Sequence, residues 1–132
     1  MERVPVLPLG QVLLASVQTE VTDNVVVALR EELLSQVIVR GVRGVVIDIS
    51  GVQVFDSYLS RVVTETAQAL RLLSARTVVA GMSPAVAVTM VEMGLDLPGV
   101  ATARSLAHAL RILAPDALSP PPSAGPAPQD AV

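Results

Sequence analysis

By residue type and position, five side chains of this 132-residue sequence are the candidates for chemistry: Asp48, Asp56, Ser57, Ser83 and His108. Acid–base catalysis needs paired ionisable groups converging in a cleft. Asp48 with Asp56 is the pair near the end of an apolar, strand-like run, the end where α/β folds collect ligands. The plainer reading gives Asp48 to loop amides at the strand end and Asp56 to a helix cap. Neither Ser57 nor Ser83 sits in the Gly-x-Ser-x-Gly setting of a nucleophile elbow, and no glycine-rich loop precedes a helix to cradle phosphate. His108 is the single histidine, and there is no cysteine. That removes disulfides, thiolate chemistry and the usual zinc arrangements. The expectation is a protein that is not an enzyme and carries no metal or cofactor.

Ser57 is the most informative of the five. It stands where a helix must begin, after an apolar strand and a loop, with Tyr58 next to it and Arg61 one turn on. One reading is an N-cap whose hydroxyl accepts a hydrogen bond from an orphan amide, a contribution of about 1 kcal/mol. The other is a phosphoacceptor. Phosphate would add about −1.5 to −2 charges and three acceptor oxygens. Free helix amides, the positive end of the helix dipole and Arg61 would favour it, while Asp56 would oppose it. Such a group is tolerated by the fold yet transforms the surface around it, with Asp56, Tyr58 and Arg61 as its neighbours at an interface.

The elements that must position Ser57 follow from periodicity. Val4–Leu9 and Val12–Val17 read as two strands joined by a tight hairpin at Gly10 and Gln11. Thr22 or Asp23 caps a helix with Val26, Leu29, Leu33 and Val37 on its apolar stripe, Arg30, Glu31 and Glu32 facing out, and Gly41 as its stop. The run GVVIDI, Gly44–Ile49, is β-branched and continuously apolar, as in a strand covered on both faces. The next helix begins near Asp56 or Ser57 and places Leu59, Val62, Val63, Thr66, Leu70 and Leu73 on one stripe. Arg76–Ala80 is a further strand. Ser83 followed by Pro84 opens a helix running to Gly94. Val100–Ala103 is a short edge strand, and a last helix through Leu106, Ala109, Leu110 and Leu113 ends at Pro115.

Strands separated by helices call for crossover connections, so this order predicts an α/β domain over residues 1–114, with a hairpin feeding a mainly parallel mixed sheet and about four helices. Six of the ten prolines fall between Pro115 and Pro128, so residues 115–132 are expected to form a disordered tail.

Composition narrows function further. The chain is 52% hydrophobic but only 2% aromatic, its net charge is −3, and its nine basic residues, all arginines, are scattered along it. It therefore offers neither an electrostatic footprint nor a stacking platform for nucleic acid. Charged or polar residues interrupt each apolar stretch before the roughly 20 residues of a spanning helix, so the positive mean hydropathy reflects buried strands rather than a membrane. The opening MERVPVLPLG lacks the features of a secretory signal, from which a cytoplasmic location is expected.

With these elements in place, GVVIDISGVQVFDSYLSRVV resembles the acceptor region of STAS-domain antagonists of the anti-sigma-factor type, with an Asp-Ser pair opening a helix. GMSPAVAVTMVEMG resembles the corresponding segment of the RsbS-type stressosome scaffolds. The resemblance spans roughly residues 4–114 and implies the STAS (SpoIIAA-like) fold. It further implies co-assembly with RsbR-like STAS paralogues, sequestration of an RsbT-like serine kinase, phosphorylation of Ser57 as the releasing event, and resetting by an RsbX-like phosphatase. Some stressosome STAS proteins carry a second acceptor near the end of the next strand, where this chain has Ala80 and Gly81, so no second site is carried over. A free-standing anti-anti-sigma factor and a small-molecule-binding α/β domain are the alternative readings.

Overall fold

The structure, a computed structural model, describes residues 4–18 and 21–117, the last three by their backbone alone. Strands β1 (Val6–Leu9) and β2 (Val12–Ser16) form the hairpin, turning through Gly10 at a φ of 62°. Helix α1 (Asp23–Arg40) leads to β3 (Gly44–Asp48), α2 (Ser57–Leu72) to β4 (Arg76–Ala80), and α3 (Pro84–Glu92) to β5 (Ala101–Ala103), with α4 (Leu106–Ala117) last. The five strands lie in chain order, β1-β2-β3-β4-β5, with β1 antiparallel and the others parallel. Pro8 within β1 is tolerated because β1 is an edge strand paired only with β2.

That strand order dictates where the helices go. Right-handed crossovers between strands that advance in one direction place each connecting helix on the same face. Accordingly Leu13, Ala15, Val45, Ile47 and Val79 of the sheet share one cluster with Val26, Leu33 and Val37 of α1, Leu59, Val62, Val63 and Leu70 of α2, and Val86 and Met90 of α3. The opposite face is left to α4, whose Ala109 and Leu113 pack on Val12, Val46, Val78, Ala80 and Ala103. Leu113 lies so close to the start of β3 that a Cβ on Gly44 would stand 2.9 Å from its Cδ1. Because α4 packs on β3, β4 and β5, no helix among the described residues covers the β1 end of this face, where Leu7 and Leu9 are 53% and 41% exposed.

The caps follow the sequence. Thr22 accepts from the Val25 amide at the start of α1, and Gly41, at a φ of 65°, closes it by donating to the Val37 carbonyl. Ser83 caps α3 with Pro84 in the first turn. Ser105 accepts from the His108 amide, and His108 Nδ1 accepts in turn from the Arg104 amide, so the single histidine helps fasten the start of α4.

Three expectations are corrected. Arg30 and Glu32 are half-buried rather than outward, and Leu29 is only partly covered. Arg30 borders an apolar cavity between α1, α2 and the sheet, while Glu32 accepts from Gln36 Nε2 at 2.8 Å. Leu73 is 40% exposed, since α2 ends at Leu72 and the chain turns away through Ser74 at a φ of 68°. Helix α4 continues past Pro115 to Ala117, the proline removing one N–H from the ladder within its last turn. The expected disorder of the tail beyond Ala117 lies outside the described residues.

Leu113 is fully buried and belongs to the one helix, among the described residues, that covers its face of the sheet. Leu113→Ala is expected to lower the unfolding free energy by about 2–5 kcal/mol in urea titration. Leu72→Ala, at an 87% exposed position, is expected to change it by less than about 0.5 kcal/mol.

Candidate functional site

The site is built at the C-terminal end of β3. Asp48 closes that strand with Oδ1 accepting from the Ser50 amide at 2.9 Å, and Val52 N–H donates back to the Ile49 carbonyl. The loop then anchors itself twice: Val52 and Phe55 are both buried in the core of the α1–α2 face, while Val54 between them is 74% exposed. Gly51 allows this tight path, since a Cβ there would lie 3.2 Å from Gln18 Cα and 3.3 Å from the Val17 carbonyl oxygen. The chain's single phenylalanine therefore fixes the position of the Asp56-Ser57 pair from below.

The two readings of Ser57 are separated by what Asp56 does. Asp56 is the N-cap of α2: its backbone is extended and its Oδ1 accepts from the Leu59 amide at 2.8 Å. Ser57 is the first helical residue, exposed, with a hydroxyl that caps nothing. Its neighbours differ. The Ser60 hydroxyl is buried and donates to the Asp96 carbonyl at 3.1 Å, and Ser83 Oγ accepts from the Val86 amide at 3.1 Å. Of these three serines, Ser57 alone presents a free hydroxyl on the surface.

Ser57 stands between two grooves. One, of about 620 Å³, separates the start of α1 from the loop before α2 and is bordered by Asp23, Gln53, Val54, Asp56 and Tyr58. The other, of about 370 Å³, runs beside α2 towards the α3–β5 connection and is bordered by Ser57, Arg61, Glu65 and Asp96. Of the neighbours singled out by sequence, Asp56 and Tyr58 thus belong to one groove and Arg61 to the other. Tyr58 and Arg61 remain linked, the guanidinium carbon lying 5.5 Å from the ring centroid. Asp48 does not border the groove that Asp56 borders; each carboxylate is engaged by its own local amide. Among the described residues no group of His, Cys, Asp or Glu side chains gathers that could hold a metal, and no helix is long and apolar enough to cross a membrane.

Sequence reasoning missed the roles of Val54, Asp23 and Asp96. Val54 sits on no helical stripe, so periodicity assigns it no face, and Asp23 and Asp96 reach the site only because the sheet brings remote loops to one edge.

The STAS-domain family profile matches residues 6–109. The chain belongs to the STAS-domain family. The five-stranded mixed sheet and four helices of the described residues are the SpoIIAA-like STAS fold. It is 32% identical over 105 residues to the RsbT co-antagonist protein RsbRA of Bacillus subtilis (strain 168), covering 80% of this chain and 35% of that protein, so the STAS chain spans about a third of that relative's length. Among solved structures, RsbS from Moorella thermoacetica, in a serine-to-glutamate variant, is 38% identical with a TM-score of 0.74, over 88% of this STAS chain and 98% of that one. A chain from the molecular architecture of the stressosome, described as a signal integration and transduction hub, is also 38% identical, with a TM-score of 0.70 over 83% and 95% of the two chains.

Because Asp56 and not Ser57 satisfies the orphan amide, Asp56→Ala is expected to cost about 0.5–2 kcal/mol of stability in urea titration. Ser57→Ala is expected to cost less than about 0.5 kcal/mol. The reverse order would return Ser57 to the role of cap.

Proposed function

We propose that this STAS protein is a cytoplasmic, non-enzymatic scaffold of a bacterial stressosome that sequesters an RsbT-like serine kinase and releases it when Ser57 is phosphorylated. The observation that carries the reading is the exposed Ser57 hydroxyl on the first turn of α2, free because Asp56 performs the capping, and flanked by two open grooves. Its support from relatives is that one is named an RsbT co-antagonist and that two others are an RsbS and a stressosome chain.

The mechanism is electrostatic. A partner docked across the helix start covers Ser57 together with exposed Val54 and the half-buried Tyr58. Phosphorylation adds about two negative charges to a surface that already carries Asp23, Asp56, Glu65 and Asp96 against Arg61. Unpaired charge enclosed in a contact costs several kcal/mol. A loss of about 2.7 kcal/mol is already a hundredfold in affinity, so release requires no rearrangement of the domain. The helix start itself tolerates the phosphate through its dipole and first-turn amides. An RsbX-like phosphatase resets the site.

Assembly is the second part of the proposal. Leu7 and Leu9 at the open β1 end of the sheet, and Val88 and Val91 on α3, are large apolar side chains left exposed, which suits a domain partly covered by RsbR-like paralogues or further copies of itself.

Incubation with the RsbT-like kinase and Mg-ATP is expected to add a single phosphate that maps to Ser57 by peptide mass and is lost in Ser57→Ala; phosphate on another residue overturns the assignment. Ser57→Asp is expected to bind the kinase about a hundredfold more weakly than wild type. Sedimentation with an RsbR-like paralogue is expected to show a species much larger than 13.7 kDa, and a monomer under that condition contradicts the scaffold role.

A further inference from the structure

Among the described residues, Arg61 is the one cation that borders either of the two grooves flanking Ser57. It stands four residues after Ser57 and three after Tyr58 on α2, the two spacings at which helix side chains meet. Helical Cα–Cβ bonds tilt towards the N-terminus, so Arg61 leans back over the turn that holds both. Ser57 and Arg61 are exposed and border the same groove, while Tyr58 is half-buried and borders the other. Arg61 therefore has two neighbours to choose from. In the unmodified protein it takes the ring, its guanidinium carbon 5.5 Å from the Tyr58 centroid.

What the other neighbours offer explains that choice. The Ser57 hydroxyl is neutral. Glu65 borders the same groove four residues on, but a cation N-terminal to its acid is the weaker orientation of such a pair. Asp96 borders the groove as well, from the α3–β5 connection. Among the described residues Arg61 nevertheless forms no ion pair, and the ring contact is what holds it. A ring contact at an exposed position is a weak hold.

A phosphate on Ser57 reverses the preference. It carries close to two charges and three acceptor oxygens, and a guanidinium meets phosphate through two parallel hydrogen bonds, each roughly twice as strong as a neutral one. The acid now precedes the base by four residues, which is the favoured orientation. Asp56 does not compete for Arg61, since its Oδ1 accepts from the Leu59 amide and it borders the other groove. A helix start leaves its first amides without intrahelical acceptors, so those of Ser57 and Tyr58 are available to the remaining phosphate oxygens.

Resting on the reading of Ser57 as a phosphoacceptor, we propose that Arg61 is the internal counterion of phosphorylated Ser57 and that, in taking up this role, it leaves Tyr58. The modification then alters the surface twice. The groove beside α2 gains a phosphate partly neutralised by Arg61, and the Tyr58 ring at the border of the other groove loses its cation. A partner that reads Tyr58 beneath a guanidinium in the unmodified protein meets a bare ring in the modified one. A covalent change on one side of α2 thus reaches the groove on its other side through one arginine side chain, with the backbone unmoved.

The test is NMR of the full chain with phosphoserine placed at position 57 during synthesis, so the contact is read whether or not an RsbT-like kinase modifies that residue. The chain has one tyrosine and no tryptophan, and its one phenylalanine is buried, so upfield shifts on the Arg61 side chain report Tyr58. The expected result is that the upfield shift of the Arg61 Cδ protons, and their contacts to the ring, are lost on phosphorylation. In a phosphorus-31 titration the second phosphate proton is expected to leave at lower pH in wild type than in Arg61→Gln. A cation favours the dianion, while Asp23, Asp56, Glu65 and Asp96 oppose it equally in both proteins. Arg61→Lys, which keeps the charge, restores most of that difference. The assignment is overturned by Arg61 protons that stay on the ring after phosphorylation, or by a phosphate that titrates at the same pH in wild type and Arg61→Gln.

Discussion

Burial of β3 on both faces is the constraint from which the rest of this domain follows. Val45 and Ile47 point to one side and Val46 to the other, and all three are buried. A strand of this kind has no solvent face, so the sheet must carry a helical layer on each side. Chain-order strands with right-handed crossovers can put α1, α2 and α3 on one side only. The second layer has to come from a helix after the last strand, and α4 supplies it through Ala109 and Leu113. Among the described residues this single helix does not reach the hairpin end of the face, where Leu7 and Leu9 are exposed.

The same strand delivers the proposed acceptor to the surface. Its C-terminal end releases the chain into a loop that is pinned by Val52 and Phe55, so that the next helix starts at a fixed place and angle. Within that start the work is divided between adjacent residues. Asp56 satisfies the Leu59 amide, and Ser57 is left with nothing to stabilise. A serine that also capped the helix could be modified only by giving up that bond; here the fold's needs are met by the carboxylate next door. Modification is thereby separated from stability, which suits a residue proposed to change its surroundings and not its own domain.

The two ends of the parallel strands carry opposite characters. The C-terminal end, with Asp23, Asp56, Glu65 and Asp96 near Ser57, is largely acidic. The N-terminal end gathers Arg43, Arg71 and Arg76. Neither grouping exists in the sequence as a run of charge. Each is produced because parallel strands bring all the loops of one kind to one edge, so residues more than thirty positions apart become neighbours.

What the sequence determined by itself was whatever depends on near neighbours along the chain. The hairpin at Gly10, the helix stop at Gly41, the proline start of α3, the doubly buried Gly44–Ile49 run and the Asp-Ser pair at a helix start are all local patterns, and the structure has them where the pattern puts them. Where local pattern failed, a long-range packing decision intervened: Arg30 was drawn against an apolar wall, Leu73 was released by the turn after α2, and α4 outlasted Pro115. Which of Asp56 and Ser57 caps the helix was open in the sequence, because both are good caps one residue apart, and only the path of the Phe55-anchored loop decided it. The surroundings of Ser57 and the gathering of Arg43, Arg71 and Arg76 were likewise decided by tertiary structure alone. Their residues are separated by whole strands and helices, and no periodicity within a single element can report what the sheet brings together.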